Sequence, residues 1–179
     1  MRRSIPCLAF CLAVSVAVPA FAQSEETSPC GVDPADWLAT HAEALDGFWL
    51  DETVLSTMDG MPMPLPAPEA AGIEWTGTAL RLSVTEYDQT YDLALTERDF
   101  ALDPLDGVDA LDQDAIEVLL GCPVNDLPRF VGEGTHMRDG HTITRRLAAV
   151  LASTTEIHIW SVYTSPSFPT IVQQSVLNQ

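Results

Sequence analysis

The stretch RFVGEGTHMRDGHTITRRLAAVL, Arg129 to Leu151, decides the fold. Asp139-Gly140 is a strong hairpin signal, because both central positions of the favoured two-residue turn need positive φ. It separates two strand-like runs, Arg129–Met137 and His141–Leu151, and so fixes which residues oppose each other. A two-residue loop sets Arg138 opposite His141, Glu133 opposite Arg146 and Gly134 opposite Arg145. Ala152 to Thr155 makes a second turn, and Glu156–Tyr163 reads as the next strand. Carried through a Ser153-Thr154 turn, the register sets Ala149 opposite His158 and Leu147 opposite Trp160. One face then holds Phe130, His136, Ile143, Arg145, Leu147, Leu151, His158, Trp160 and Val162. It is the more apolar face and is expected inside.

The same period of two extends outward. Leu80, Leu82 and Val84 alternate with polar residues, as do Tyr91, Leu93 and Leu95, which predicts two antiparallel strands joined near Asp88-Gln89. Leu50 to Leu55 is strand-like, and a last strand, Thr170 to Leu177, follows the Pro166–Pro169 segment. Ala115 to Leu120 fits a strand or one and a half helical turns, and its neighbours favour strand. Thr57 to Gly72, with Pro62, Pro64, Pro66 and Pro68, is not expected to form a regular element. Asp33-Pro34 combines an N-cap with proline at the first helical position. Trp37, Leu38, His41, Ala42 and Leu45 follow at helical spacing, so a short amphipathic helix is predicted from Pro34 to about Ala44. The sum is a mainly β protein: an antiparallel up-and-down barrel of about eight strands with a short N-terminal helix.

Residues 1–22, MRRSIPCLAFCLAVSVAVPAFA, carry the three parts of a secretory signal peptide: Arg2 and Arg3, an apolar run from Ile5 to Val18, and Ala-Phe-Ala before Gln23. The run is short for a transmembrane anchor, which needs roughly 20 apolar residues. Neither Cys7 after Pro6 nor Cys11 after Phe10 suits lipidation. Cleavage is expected after Ala22, with the periplasm as destination. Residues 23–32 then form a flexible N-terminal segment, and residues 33–179 a single domain of ordinary size.

The charge excludes whole classes of partner. The cleaved chain keeps six arginines, no lysine and all 26 acidic residues, a formal charge of −20. Such a balance argues against nucleic acid and against anionic membrane surfaces. Of four cysteines, only Cys30 and Cys122 survive processing, and in an oxidising compartment a lone pair defaults to a disulfide. It would bracket the helix and the predicted strands up to Leu120.

Leu45-Asp46-Gly47-Phe48-Trp49 follows the predicted helix and precedes the first strand-like run. A Gly-x-Trp there, followed by a long loop and then antiparallel hairpins to the C-terminus, resembles the lipocalin and wider calycin barrels. The resemblance implies that Gly47 and Trp49 open the first strand and that the Trp49 indole closes the barrel floor. It covers most of Gly47 to Leu177. Lipocalins usually place a basic residue over that tryptophan near the end of the barrel. Thr170 to Leu177 has none, which leaves Arg145 or Arg146 to serve from an earlier strand, or a different packing.

Candidate chemistry is sparse. Gly132 and Gly134 lie beside Arg145 and leave room for its side chain or for a ligand. An inward Arg145 among apolar residues could anchor a ligand carboxylate; the alternative is an arginine paired with one of the many acids. His136 and His158 lie roughly 20 Å apart at about 3.3 Å per residue, too far to share an ion, and no zinc spacing is present. Met58, Met61 and Met63 suit Cu(I) or, as a proline-stiffened loop, an adaptable apolar cover for the barrel mouth. The aspartates of DPLDGVDALDQD lack EF-hand spacing. No nucleophile-elbow, phosphate-loop or dinucleotide motif occurs. No metal or cofactor is expected. The chain is therefore expected to bind a small apolar or amphipathic ligand through Phe130, His136, Arg145, His158, Trp160, Met61 and Met63. The alternatives are a filled barrel acting as an envelope interaction module, or an enzyme of unrecognised type.

Overall fold

A computed structural model describes residues 27–84, 89–96 and 113–179. The signal-peptide reading, the Ala22 cleavage site, the start of the N-terminal segment, Asp88 and most of the aspartate-rich stretch DPLDGVDALDQD lie outside those residues. Helix α1 (Pro34–His41) begins as its sequence dictates, with the Asp33 carboxylate accepting from the Ala35 and Asp36 amides, and continues as a 3₁₀ turn over Ala42–Leu45. Nine strands follow: β1 (Gly47–Met58), β2 (Met61–Pro62), β3 (Glu69–Trp75), β4 (Ala79–Val84), β5 (Gln89–Leu95), β6 (Arg129–Arg138), β7 (His141–Leu151), β8 (Glu156–Ser165) and β9 (Phe168–Asn178). Helix α2 (Gln113–Leu120) and a 3₁₀ turn at Val124–Asp126 lie between β5 and β6.

Every neighbouring pair is antiparallel, and β1 also pairs with β9, from Leu50↔Asn178 to Met58↔Ile171. That pairing closes an eight-stranded barrel, with β2 a two-residue appendage on β1. Closure leaves no long unpaired edge, the liability of an open sheet. The β6–β7 register is the one the Asp139-Gly140 turn dictates, Arg138↔His141 through Glu133↔Arg146, with Asp139 and Gly140 at φ of 50° and 79°. Arg146 Nε lies 3.9 Å from Glu133 Oε2, a partly exposed cross-strand pair of little energetic weight.

Three expectations are corrected. Ala115–Leu120 lies in a helix, α2. Ile116 and Leu120, four apart, face the barrel, whereas Val118, which a strand would have placed beside them, is 85% exposed. The proline-rich stretch is not wholly irregular: β1 runs through Met58, β2 pairs at its end, and β3 begins at Glu69, one residue past Pro68. Pro62 is tolerated because β2 is an edge. The eight barrel strands therefore include β3, in place of the strand expected at 115–120.

The third correction is register. The β7–β8 turn holds three residues, Ser153 to Thr155, closed by bonds from the Ala152 and Ser153 amides to the Glu156 carbonyl. The strands consequently pair Val150↔His158 and Ala148↔Trp160. One extra loop residue turns the whole of β8 over. Ile157, Ile159 and Ser161 face inward, and His158 and Trp160 face out.

Two apolar clusters result. The barrel core joins Trp37, Leu38 and Leu45 to Trp49, Leu80, Leu82, Leu93, Phe130, Leu147, Leu151, Ile157 and Ile159. Helix α1 thus plugs one end of the barrel. An outer cluster sets Ile116, Leu120, Cys122, Val124 and Leu127 against Ala148, Val150 and Trp160. The Cys30–Cys122 disulfide, with Cα atoms 5.8 Å apart, ties this layer to the segment before α1. Thr27 and Thr154 exchange hydrogen bonds that fasten the same segment to the β7–β8 turn. No helix of the described residues is long and apolar enough to cross a membrane.

Candidate functional site

The inward face of the barrel changes character along its axis. Near α1 it is apolar. Toward the opposite end, where the β1–β2, β6–β7 and β8–β9 hairpins turn, it carries Asp51 and Thr53 (β1), Tyr91 (β5), His136 (β6), Arg145 (β7), Ser161 and Tyr163 (β8) and Gln173 and Ser175 (β9). Strand alternation sets these residues on the same face as the core, one or two steps further along each strand.

Arg145 is the centre of this group. It is 6% exposed, and its Nε and Nη2 donate to Ser161 Oγ at 3.2 and 2.9 Å. The guanidinium lies between the rings of Tyr91 and Tyr163, 5.1 and 5.0 Å from their centroids. Cation–π contacts of this kind stabilise most where water is excluded. No carboxylate of the described residues comes within ion-pair distance of it. The Arg145 charge acts on the Asp51 carboxyl from beyond that distance.

The surrounding titratable groups are shifted by the same burial. Desolvation raises the Asp51 carboxyl above its usual range, while the Ser175 hydroxyl and the Arg145 charge pull it back. Asp51 Oδ1 is buried and meets no hydrogen-bond partner. Burial likewise raises the Tyr163 phenol. The His136 imidazole is held below its usual value by burial, then by Arg145 and Arg138, and its Nδ1 is buried without a hydrogen-bond partner.

The room beside Gly132 and Gly134 is taken by this chain's own side chains. A Cβ on Gly132 would lie 2.5 Å from Leu93 Cδ2 and 2.9 Å from the Asp92 carbonyl, and one on Gly134 would lie 2.7 Å from Tyr91 Cε1. Gly134 lets β5 lay Tyr91 across β6 and against Arg145, and Gly132 makes room for Leu93.

The structure brings Phe130, His136 and Arg145 to one face, with Phe130 in the core edge-on to Trp75. Met61 and Met63 sit on the β1–β2 hairpin, and Met61 is 66% exposed. His158 and Trp160 are not with them. His158 stacks on Trp160 outside the barrel, and its Nε2 is 2.7 Å from Glu156 Oε1. Trp49 is buried at the α1 end, its indole N–H donating to the Leu45 carbonyl. Tyr91, Tyr163, Ser161 and Asp51 were missed by the sequence reading. The correct β8 register would have found Ser161 and Tyr163, and the β1 alternation starting from Trp49 would have found Asp51. Among the described residues no three His, Cys, Asp or Glu side chains group to hold a metal ion.

Architecture and site together define a closed, floor-plugged antiparallel β-barrel with a buried, tyrosine-clamped arginine. Searches against protein-family models, curated proteins and solved structures return no match to this chain.

Proposed function

We propose that this chain is an exported, periplasmic, lipocalin-like barrel that binds a small amphipathic ligand, with the ligand's acidic head at Arg145. The observation that carries the reading is the buried guanidinium that two tyrosines and a serine hold in place and that no carboxylate of the described residues meets within ion-pair distance. A buried charge is costly unless it is paired, and a planar guanidinium suits a carboxylate. The core near α1 is filled by side chains, so the ligand's apolar part runs the other way, past Ile143, Met58 and Ile171 toward Met61 and Met63. The disulfide and the N-terminal sequence pattern support export.

The test is native mass spectrometry of protein isolated from its own periplasm. The wild type is expected to carry a discrete added mass that Arg145→Gln lacks. A wild type that flies at its bare mass, from every growth condition, refutes the reading.

A second reading, an envelope interaction module, rests on the outer face of β1. Phe48 is 87% exposed there, with Leu50, Val54 and Leu55 following along the same strand. Exposed apolar rows of this kind mark contact surfaces. Co-purification of an envelope protein that Phe48→Asp abolishes would favour it.

A further inference from the structure

Asp51 and Arg145 face one another's environment across the barrel without forming an ion pair. Arg145 is one of the charges that act on Asp51, yet no oxygen of Asp51 lies within ion-pair distance of the guanidinium, and Oδ1 of Asp51 has no hydrogen-bond partner. We propose that the barrel takes up its acidic ligand together with one proton, which Asp51 carries beside the anion that Arg145 holds. The inference rests on the reading that the ligand's head lies at Arg145.

The argument is one of charge in a dry space. Unliganded, the inner face presents the positive charge of Arg145 and, at Asp51, a carboxyl whose ionised form that charge favours. An anion seated on Arg145 cancels the support, and two carboxylates sharing a buried site cannot both stay ionised. Other polar and titratable groups face the same space. Burial holds the Tyr163 phenol above its ordinary value. His136 on β6 is pushed toward its neutral form by burial, Arg145 and Arg138. Glu69, the β3 ladder partner of Asp51, is a second carboxyl on this face among the described residues.

A carboxylate, ionised at neutral pH, and a permanently ionised sulfonate both draw the coupled proton from solvent, but the carboxylate also titrates itself. Binding of 1-octanesulfonate, which has no titrating group in the range, therefore reports the protein's proton alone. By calorimetry between pH 5 and 8, wild-type affinity for it is expected to fall by up to about tenfold per pH unit above the Asp51 titration, the slope of one linked proton. Asp51→Asn is expected to bind it equally at pH 5.5 and 7.5, and Asp51→Ser provides the same test should the asparagine variant fold poorly. Glu69→Gln should keep the wild-type slope. Wild-type binding that does not vary with pH, or a slope that survives in both Asp51 variants, overturns proton coupling and leaves the Arg145 pocket standing. Failure of the wild type to bind either octanesulfonate or octanoate at any pH overturns both.

Discussion

Tyr91 occupies the space that a side chain at position 134 would need, its Cε1 lying 2.7 Å from where a Gly134 Cβ would stand. The same ring supports the Arg145 guanidinium from one side while Tyr163 supports it from the other. Gly134 is thus a precondition of the arginine clamp. At Gly132 the obstruction includes the Asp92 carbonyl at 2.9 Å, which is backbone and cannot rotate away.

Alanine at the two positions should therefore behave differently. Gly134→Ala is expected to displace the Tyr91 ring at a cost of about 1–2 kcal/mol, and Gly132→Ala to force the β5 and β6 backbones apart at about 3 kcal/mol or more, within and beyond the usual range for overpacking. Urea denaturation of the two variants checks the order. Gly134→Ala should also weaken octanoate binding, because the clamp loses one face.

The disulfide holds the outer layer rather than the barrel. Cys122 lies in the cluster that α2 forms over Ala148, Val150 and Trp160, and Cys30 precedes α1. Replacing both cysteines by serine should cost about 2–5 kcal/mol, the usual range for a native bridge. The barrel ladder from β6 to β9 does not depend on it. Trp160 fluorescence should accordingly red-shift at a lower urea concentration than the far-UV β signal is lost, and coincident transitions would show that layer and barrel unfold as one.

Legibility in the sequence followed from how local the determining physics is. The β6–β7 register was readable because a two-residue Asp-Gly turn leaves the chain one choice. The β7–β8 register was not, because Ser-Thr-Thr has no comparable constraint and two- and three-residue turns fit it equally. That single residue misplaced His158 and Trp160 while Arg145, one strand earlier, was placed inside correctly. Helix α2 was obscured because six apolar-rich residues satisfy either period, and its choice is made by Ala148 and Val150, distant in sequence. Strand β3 was hidden behind prolines that end one residue before it. The arginine was legible as inward but its clamp was not, since Tyr91 reaches it from β5 across Gly134.

The outward placement of Trp160 separates stability from binding. Trp160→Ala removes the centre of the outer cluster and should cost about 3–5 kcal/mol, as should Phe130→Ala in the barrel core. Trp160→Ala should leave octanoate affinity within twofold of wild type, measured by calorimetry under conditions where the variant is folded. Had β8 faced the other way, Trp160 would have lined the interior and its loss would have changed binding.

Asp51 gives the stability of the barrel an unusual pH dependence. Its folded-state titration lies above the unfolded value because burial disfavours the charged form. Between those two values the folded state binds more protons than the unfolded state, so stability falls as pH rises through that window. Most carboxylates that gain partners on folding act in the opposite direction. Asp51→Asn removes the buried ionised carboxylate and keeps the shape, so it should stabilise the protein at neutral pH and make little difference near pH 3.5, where Asp51 is protonated in the wild type. The difference in urea midpoint between wild type and Asp51→Asn should therefore open from near zero at pH 3.5 and level off once the folded-state carboxyl has ionised. A variant that is less stable than wild type at pH 7 by the same measurement would show that the ionised carboxylate is stabilised by Arg145 and Ser175 more than burial opposes it.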